Sequence, residues 1–93
     1  MIDYTPPTPA DMQSLKDALG YTGEEMAELL DVSGGQQWRK YTNPSGTTQL
    51  PMRALFFIAA RLTLSSEALK LVGYKMREIG AQIDPSDLSG LKK

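Results

Sequence analysis

The 93-residue sequence contains no cysteine and no histidine. Without cysteine the chain can form neither disulfide bonds nor thiolate metal sites, and without histidine it lacks the commonest general base and metal ligand. The sequence also lacks a phosphate-binding loop, a nucleophile paired with a base and a cluster of carboxylates with metal-ligand spacing. We therefore expect no enzymatic activity, no cofactor and no bound metal.

Long hydrophobic runs are also missing. The longest strongly apolar stretch is ALFFIAA at 54–60, far shorter than the roughly 20 residues that a membrane-spanning helix needs. The first residues do not combine a basic segment with an apolar run, as a secretory signal does. These features predict a cytoplasmic protein that does not interact with membranes.

Acidic residues are absent from the middle of the chain, although the net charge is −1 and the isoelectric point is near 5.3. Residues 1–31 carry seven acidic side chains against one lysine, a net charge of −6. Residues 32–66 carry four basic and no acidic side chains, and residues 67–93 sum to +1. Because a surface that binds nucleic acid must be locally positive, residues 32–66 are the candidate segment.

Helical spacing of apolar residues and capping signals predict an all-α fold with no strand. We expect five helices, at about 9–19, 23–30, 34–42, 51–62 and 66–79. Their predicted N-caps are Thr8, Thr22, Ser33 and Ser65 or Ser66, and Pro9 and Pro51 are expected at first helical positions. We predict one compact domain at 9–80, preceded by an extended proline-rich arm at 1–8 and followed by a flexible tail at 81–93.

The third predicted helix divides its residues between two faces. At 100 degrees per residue, Trp38 and Tyr41 lie on one side, and Gln36, Lys40 and Asn43 lie on the other with Arg39 at the flank. We interpret the aromatic pair as core residues in preference to base-stacking residues. On composition alone the polar face is a solvated helix surface, but helices two and three, joined by a short corner, have the order of a helix-turn-helix motif.

In that motif the polar face contacts base edges and phosphates. Glycines at the start of the third helix would let the backbone approach a phosphate. The candidate DNA-binding residues are Gly34, Gly35, Gln36, Gln37, Arg39, Lys40, Asn43 and Arg53.

Residues 15–59 resemble the lambda-repressor-like, Cro-type helix-turn-helix domains of bacterial and phage regulators. The similarity lies in Leu15, Leu19-Gly20, Ala27, Leu30, Val32-Ser33, Trp38, Tyr41 and Pro51. It implies a compact four- or five-helix domain that binds double-stranded DNA in a sequence-specific way, usually as a dimer, and regulates transcription, for example as a repressor. The family usually has Gly at the position of Asp31, and Glu24 lies where its members often approach a phosphate.

A second hypothesis is a protein-interaction or inhibitor module with the same fold. Its partner would bind the acidic face of helices one and two, or helices four and five. Phe56, Leu71 and Tyr74 are predicted to form a subunit interface, although exposed apolar residues are common on any surface. Duplex binding that falls with salt would favour the first hypothesis, and a stoichiometric protein partner the second.

Overall fold

The computed structural model describes residues 1–90 and shows five α-helices, with no strand among these residues. The helices are α1 (Pro9–Leu19), α2 (Gly23–Leu30), α3 (Gly35–Thr42), α4 (Met52–Thr63) and α5 (Ser66–Ile79). A 3-10 helix, η1 (Pro85–Ser89), follows α5. The predicted all-α class with five helices is confirmed.

Reciprocal capping boxes fix the starts of α1 and α2. The Thr8 hydroxyl accepts a bond from the Asp11 amide at 3.1 Å, and the Asp11 carboxylate accepts from the Thr8 amide at 2.9 Å. Thr22 and Glu25 repeat this exchange at 3.1 and 2.8 Å. Each box satisfies two backbone donors that the first helical turn leaves free, which is why both starts could be predicted.

Two other predicted helix starts were wrong by one position. The N-cap of α3 is Gly34 and not Ser33, so this cap has no side chain to bond the first turn. Helix α4 begins at Met52, and the Pro51 carbonyl accepts from the amides of Ala54 and Leu55. Pro51 is therefore the residue before the helix, because the N-cap carbonyl is the one that accepts the first intrahelical bond.

The turn between α2 and α3 begins with a left-handed residue. Asp31 has φ 60° and ψ 47°, and it is the only non-glycine residue with positive φ in the described part of the chain. The Val32 amide donates to the Ala27 carbonyl at 2.9 Å and closes the end of α2. Residues 31–34 thus end α2 and lead the chain into α3.

Residues 1–56 form one compact unit, in which α3 packs against α1 and α2. Its buried apolar side chains are those of Met12, Met26, Ala27, Leu29, Leu30, Trp38 and Leu50. Within the predicted arm at 1–8, the Tyr4 hydroxyl donates to the Leu50 carbonyl at 2.7 Å.

A second unit begins at Phe57, and in it η1 packs along α5. The contact passes over Gly73, where an added Cβ would lie 2.7 Å from the Pro85 Cα. The buried Arg61 side chain donates from Nε to the Leu88 carbonyl at 3.0 Å, and its guanidinium lies 5.2 Å from the Phe57 ring centre. Residues 85–89 of the expected tail are thus helical and packed, and residues 91–93 lie outside the described residues.

Apolar residues at helical spacing are only partly buried on α4 and α5. On α4 the buried residues are Ile58 and Arg61, whereas Leu62, one turn after Ile58, is exposed. On α5, Leu69 and Gly73 are buried, and Val72 and Ile79 are exposed. The buried side of α5 includes a glycine because η1 approaches there, which an apolar periodicity cannot indicate.

Candidate nucleic-acid interface

Trp38 anchors α3 in the first unit. Its side chain is 1% exposed, and its Cδ1 lies 3.9 Å from the point that a Cβ on Gly23 would occupy, at the start of α2. The indole Nε1 has no hydrogen-bond partner within residues 1–90. Packing therefore holds the ring, and the other predicted aromatic anchor, Tyr41, is half-buried.

The opposite side of α3 faces solvent. Gln36, Arg39 and Lys40 are exposed, and Gln37 is half-buried. Arg39 and Lys40 lie in the last turn of the helix, where positive charge is favoured by the helix dipole. The helix thus has the predicted division into a buried aromatic side and an exposed side of amides and cations.

A surface cavity of about 530 Å³ lies at the start of α3. It brings together six of the eight predicted DNA-binding residues: Gly34, Gly35, Gln36, Gln37, Arg39 and Lys40. Ser33 and Glu24 complete its lining. The chain therefore places amides, cations and one carboxylate around one concave surface.

The remaining two predicted residues do not line this cavity. Asn43 uses its side-chain oxygen to accept bonds from the Ser45 amide at 3.1 Å and the Ser45 hydroxyl at 3.0 Å. This local arrangement stabilises the turn at 43–46, which is a common use of asparagine. Arg53 is exposed in the first turn of α4.

Glu24 has a role that the sequence analysis did not predict. Its Oε1 accepts a bond from the Gly35 amide at 3.0 Å, so α2 supplies the cap that Gly34 cannot. This amide is one of the backbone groups that we assigned to a phosphate, and in this structure it donates to a carboxylate. The glycine at the capping position was the available signal, but it does not identify an acceptor eleven residues away from Gly35.

The predicted subunit-interface residues are exposed. The exposed fractions are 70% for Phe56, 68% for Leu71 and 55% for Tyr74. Phe56 belongs to the first unit, and Leu71 and Tyr74 lie on α5 of the second. Lys75 and Glu78, also on α5, form an exposed ion pair at 3.1 Å, and such a pair adds little stability.

Within residues 1–90, no group of three or more acidic side chains is placed to hold a metal ion. None of the helices described here has both the length and the apolar character needed to cross a membrane.

Comparison of the chain with protein-family models, curated proteins and solved structures gave no match.

Proposed function

We propose that this protein binds double-stranded DNA in a sequence-specific way through α3 and regulates transcription. One observation carries the proposal: α3 exposes Gln36, Arg39 and Lys40 on the side opposite a fully buried Trp38. A helix fixed to its domain by one side and polar on the other is the arrangement that enters a major groove.

The exposed side chains suit the chemistry of that groove. The Gln36 amide can donate to and accept from adenine, and the Arg39 guanidinium can donate two bonds to guanine. The Lys40 ammonium suits a phosphate as a point charge. Because α3 is held against both α1 and α2, these groups project from a rigid support, which base reading requires.

The local charge supports the same partner. Arg39, Lys40 and Arg53 are exposed within the acid-free interval 32–66, whereas Arg61, the fourth cation there, is buried. Association with a polyanion depends on the local field more than on net charge. A net charge of −1 therefore does not argue against DNA as the partner.

Selection of bound duplexes from a random pool at low salt tests the proposal. We expect enrichment of one sequence, and enrichment of a palindrome would indicate a two-fold dimer. Binding of that duplex should weaken with salt, with a slope of roughly 0.9 per phosphate neutralised in a plot of log affinity against log salt.

Single substitutions then assign roles within α3. Gln36→Ala and Arg39→Ala should change the ranking of duplex sequences, and Lys40→Ala should weaken all duplexes alike. Gln13→Ala, at an exposed position of α1, removes a matched amide and should leave binding unchanged. Absence of duplex binding at low ionic strength would refute the proposal.

A protein-interaction module is the second candidate, and the exposure of Leu71 and Tyr74 on α5 favours it. Seven acidic side chains within residues 1–31 offer another surface for a protein partner. Under this alternative, a stoichiometric complex would persist in Gln36→Ala and Lys40→Ala, and a partner that binds α5 would be lost in Leu71→Ala or Tyr74→Ala.

A further inference from the structure

Glu24 is the only acidic residue that lines the cavity at the start of α3, within the part of the chain that the structure describes. It stands among the groups that we propose contact DNA, where a carboxylate repels phosphates. A freely moving carboxylate could turn away from an approaching phosphate at little cost. The question is therefore whether the carboxylate of Glu24 is held in place.

A hydrogen bond and the dipole of α3 hold it there. The Gly35 amide donates to Glu24 Oε1 at 3.0 Å, and a bond from a backbone amide to a charged acceptor is one of the stronger kinds. The first turn of α3 also carries the positive end of the helix dipole. Gly35 is buried beneath the carboxylate, since a Cβ there would lie 2.8 Å from Oε1.

The carboxylate also affects Arg39. The point that a Cβ on Gly35 would occupy is 3.6 Å from Arg39 Nη1, so the guanidinium and the carboxylate lie beside the same residue. Their charges partly offset each other, which reduces the attraction of this surface for phosphates at large. Glu24 Oε2 lies 3.7 Å from the corresponding point on Gly34 and offers a second acceptor.

We infer that Glu24 is a specificity-determining residue of the α3 surface. In the major groove, a carboxylate can accept a bond only from the amino group of cytosine or adenine, and it is repelled by phosphates and by base acceptors. Duplexes that place an amino group beside Glu24 are accepted, and other sequences and registers are penalised. This is discrimination by repulsion, in which selectivity is gained at the expense of overall affinity.

The inference rests on the proposed DNA binding, and a charge-matched pair of variants tests it. Glu24→Gln keeps an oxygen for the Gly35 amide and removes the charge. Asp17→Asn, on α1 and outside the cavity lining, changes the net charge by the same amount. Affinities are measured for the selected duplex and for an unrelated duplex, at low salt and then at rising salt.

We expect Glu24→Gln to bind the unrelated duplex about 3- to 10-fold more tightly than Asp17→Asn at low salt, the range expected for one charge near a phosphate. The selected duplex should gain less, so the ratio of the two affinities falls. The gain on the unrelated duplex should shrink as salt rises. In a repeated selection, Glu24→Gln should also accept guanine or thymine at a position where the parent protein requires cytosine or adenine, because an amide can donate to base acceptors as well as accept.

Other outcomes overturn the inference in distinguishable ways. If Glu24→Gln and Asp17→Asn bind both duplexes equally, or if both duplexes gain by the same factor, Glu24 has no role in specificity and the proposed function stands. If no variant binds any duplex, the proposed function fails together with the inference.

Thermal unfolding followed by circular dichroism separates these effects from a loss of structure. Glu24→Ala removes the charge and also the partner of the Gly35 amide, so it should unfold at a lower temperature than Glu24→Gln. At temperatures where both are folded it should show the same fall in selectivity. Unchanged selectivity in a folded Glu24→Ala protein would also overturn the inference.

Discussion

Asp31 holds the turn before α3 in a left-handed conformation that costs an ordinary L-residue about 1–2 kcal/mol. Its carboxylate also lies at the C-terminal end of α2, where the helix dipole disfavours negative charge. Both effects act on the residue that directs the chain into α3. A single side chain therefore stores strain next to the proposed interface.

Asp31→Gly should raise the free energy of unfolding by about 0.5–1 kcal/mol. Relief of the left-handed strain exceeds the cost of the greater backbone entropy that glycine gives to the unfolded state, which is about 0.4–1 kcal/mol. Urea unfolding measures the change. Asp31→Ala serves as the control because it removes the charge and keeps the strain, and a gain equal to that of glycine would show that strain is not the cause.

Substitutions of Trp38 and Gln36 should distinguish the residue that anchors α3 in the core from a residue proposed to contact DNA. Trp38→Ala should lower the free energy of unfolding by about 3–5 kcal/mol, since it empties the site of a large buried ring. Gln36→Ala should change it by less than about 0.5 kcal/mol, because its side chain is exposed. Urea unfolding compares the two, and a large stability loss in Gln36→Ala would contradict the assignment of this residue to the outer face.

At the scale of elements, the contact between α5 and η1 depends on the absence of a side chain at Gly73. Glycine within a helix is less favourable than alanine by about 1 kcal/mol. Replacing a solvent-exposed helical glycine by alanine therefore usually stabilises the protein. At Gly73, however, an added Cβ would lie 2.7 Å from Cα and 2.8 Å from Cβ of Pro85. Neither the proline ring nor the backbone can rotate away from it.

Gly73→Ala should therefore destabilise the protein by about 1–2 kcal/mol, because overpacking of about 1–3 kcal/mol outweighs the gain in helix propensity. The control is Gly90→Ala, where the atoms nearest to the added Cβ lie 3.7 and 3.9 Å away. Its free energy of unfolding should change by less than about 0.5 kcal/mol. Urea unfolding of both variants measures these changes in the free energy of unfolding. A more stable Gly73→Ala protein would mean that η1 does not rest on this part of α5.

Across the whole molecule, helix-capping carboxylates in both units have a lowered pKa, so acid should destabilise both units. Bonds from the backbone and hydroxyl of Thr8 lower the pKa of Asp11 below its usual value of 3.8. The backbone and side chain of Ser86 lower the pKa of Asp84 likewise. A carboxyl with a depressed folded pKa contributes stability that is present above its unfolded pKa and is lost as pH falls through the folded value.

The free energy of unfolding should therefore decrease as pH falls below about 4. Asp11→Asn should be less stable than the parent protein at neutral pH, and the difference should shrink at acid pH, where the parent loses the charged cap. Urea unfolding between pH 7 and pH 2.5 measures both. Parallel pH profiles for the two proteins would show that the Asp11 cap does not contribute.

The features that could be predicted from the sequence are those determined by neighbouring residues. Capping boxes join residues three positions apart, so the starts of α1 and α2 at Thr8 and Thr22 are determined by the local sequence. The bond from Gly35 to Glu24 joins residues eleven positions apart, and Arg61 reaches a carbonyl 27 positions away. Such contacts depend on how helices pack, and neither periodicity nor caps encode that packing.

The division of α3 was predictable because an aromatic pair and a polar set alternate at helical spacing. Its cap was not, since a glycine at the capping position does not indicate which distant side chain replaces it. The packing of residues 85–89 within the predicted tail was not predictable either, because Pro85 and Leu88 are buried beside Gly73, which lies on α5 and not in the local sequence.

The chain contains a single tryptophan, and that residue belongs to α3 and is buried in the interior of the first unit. Its fluorescence will consequently report on one helix alone, with blue-shifted emission while α3 is seated and a red shift when the indole meets water. The molecule thus carries an intrinsic optical probe at the place where its proposed activity is exercised, and detachment of α3 can be followed without any added label.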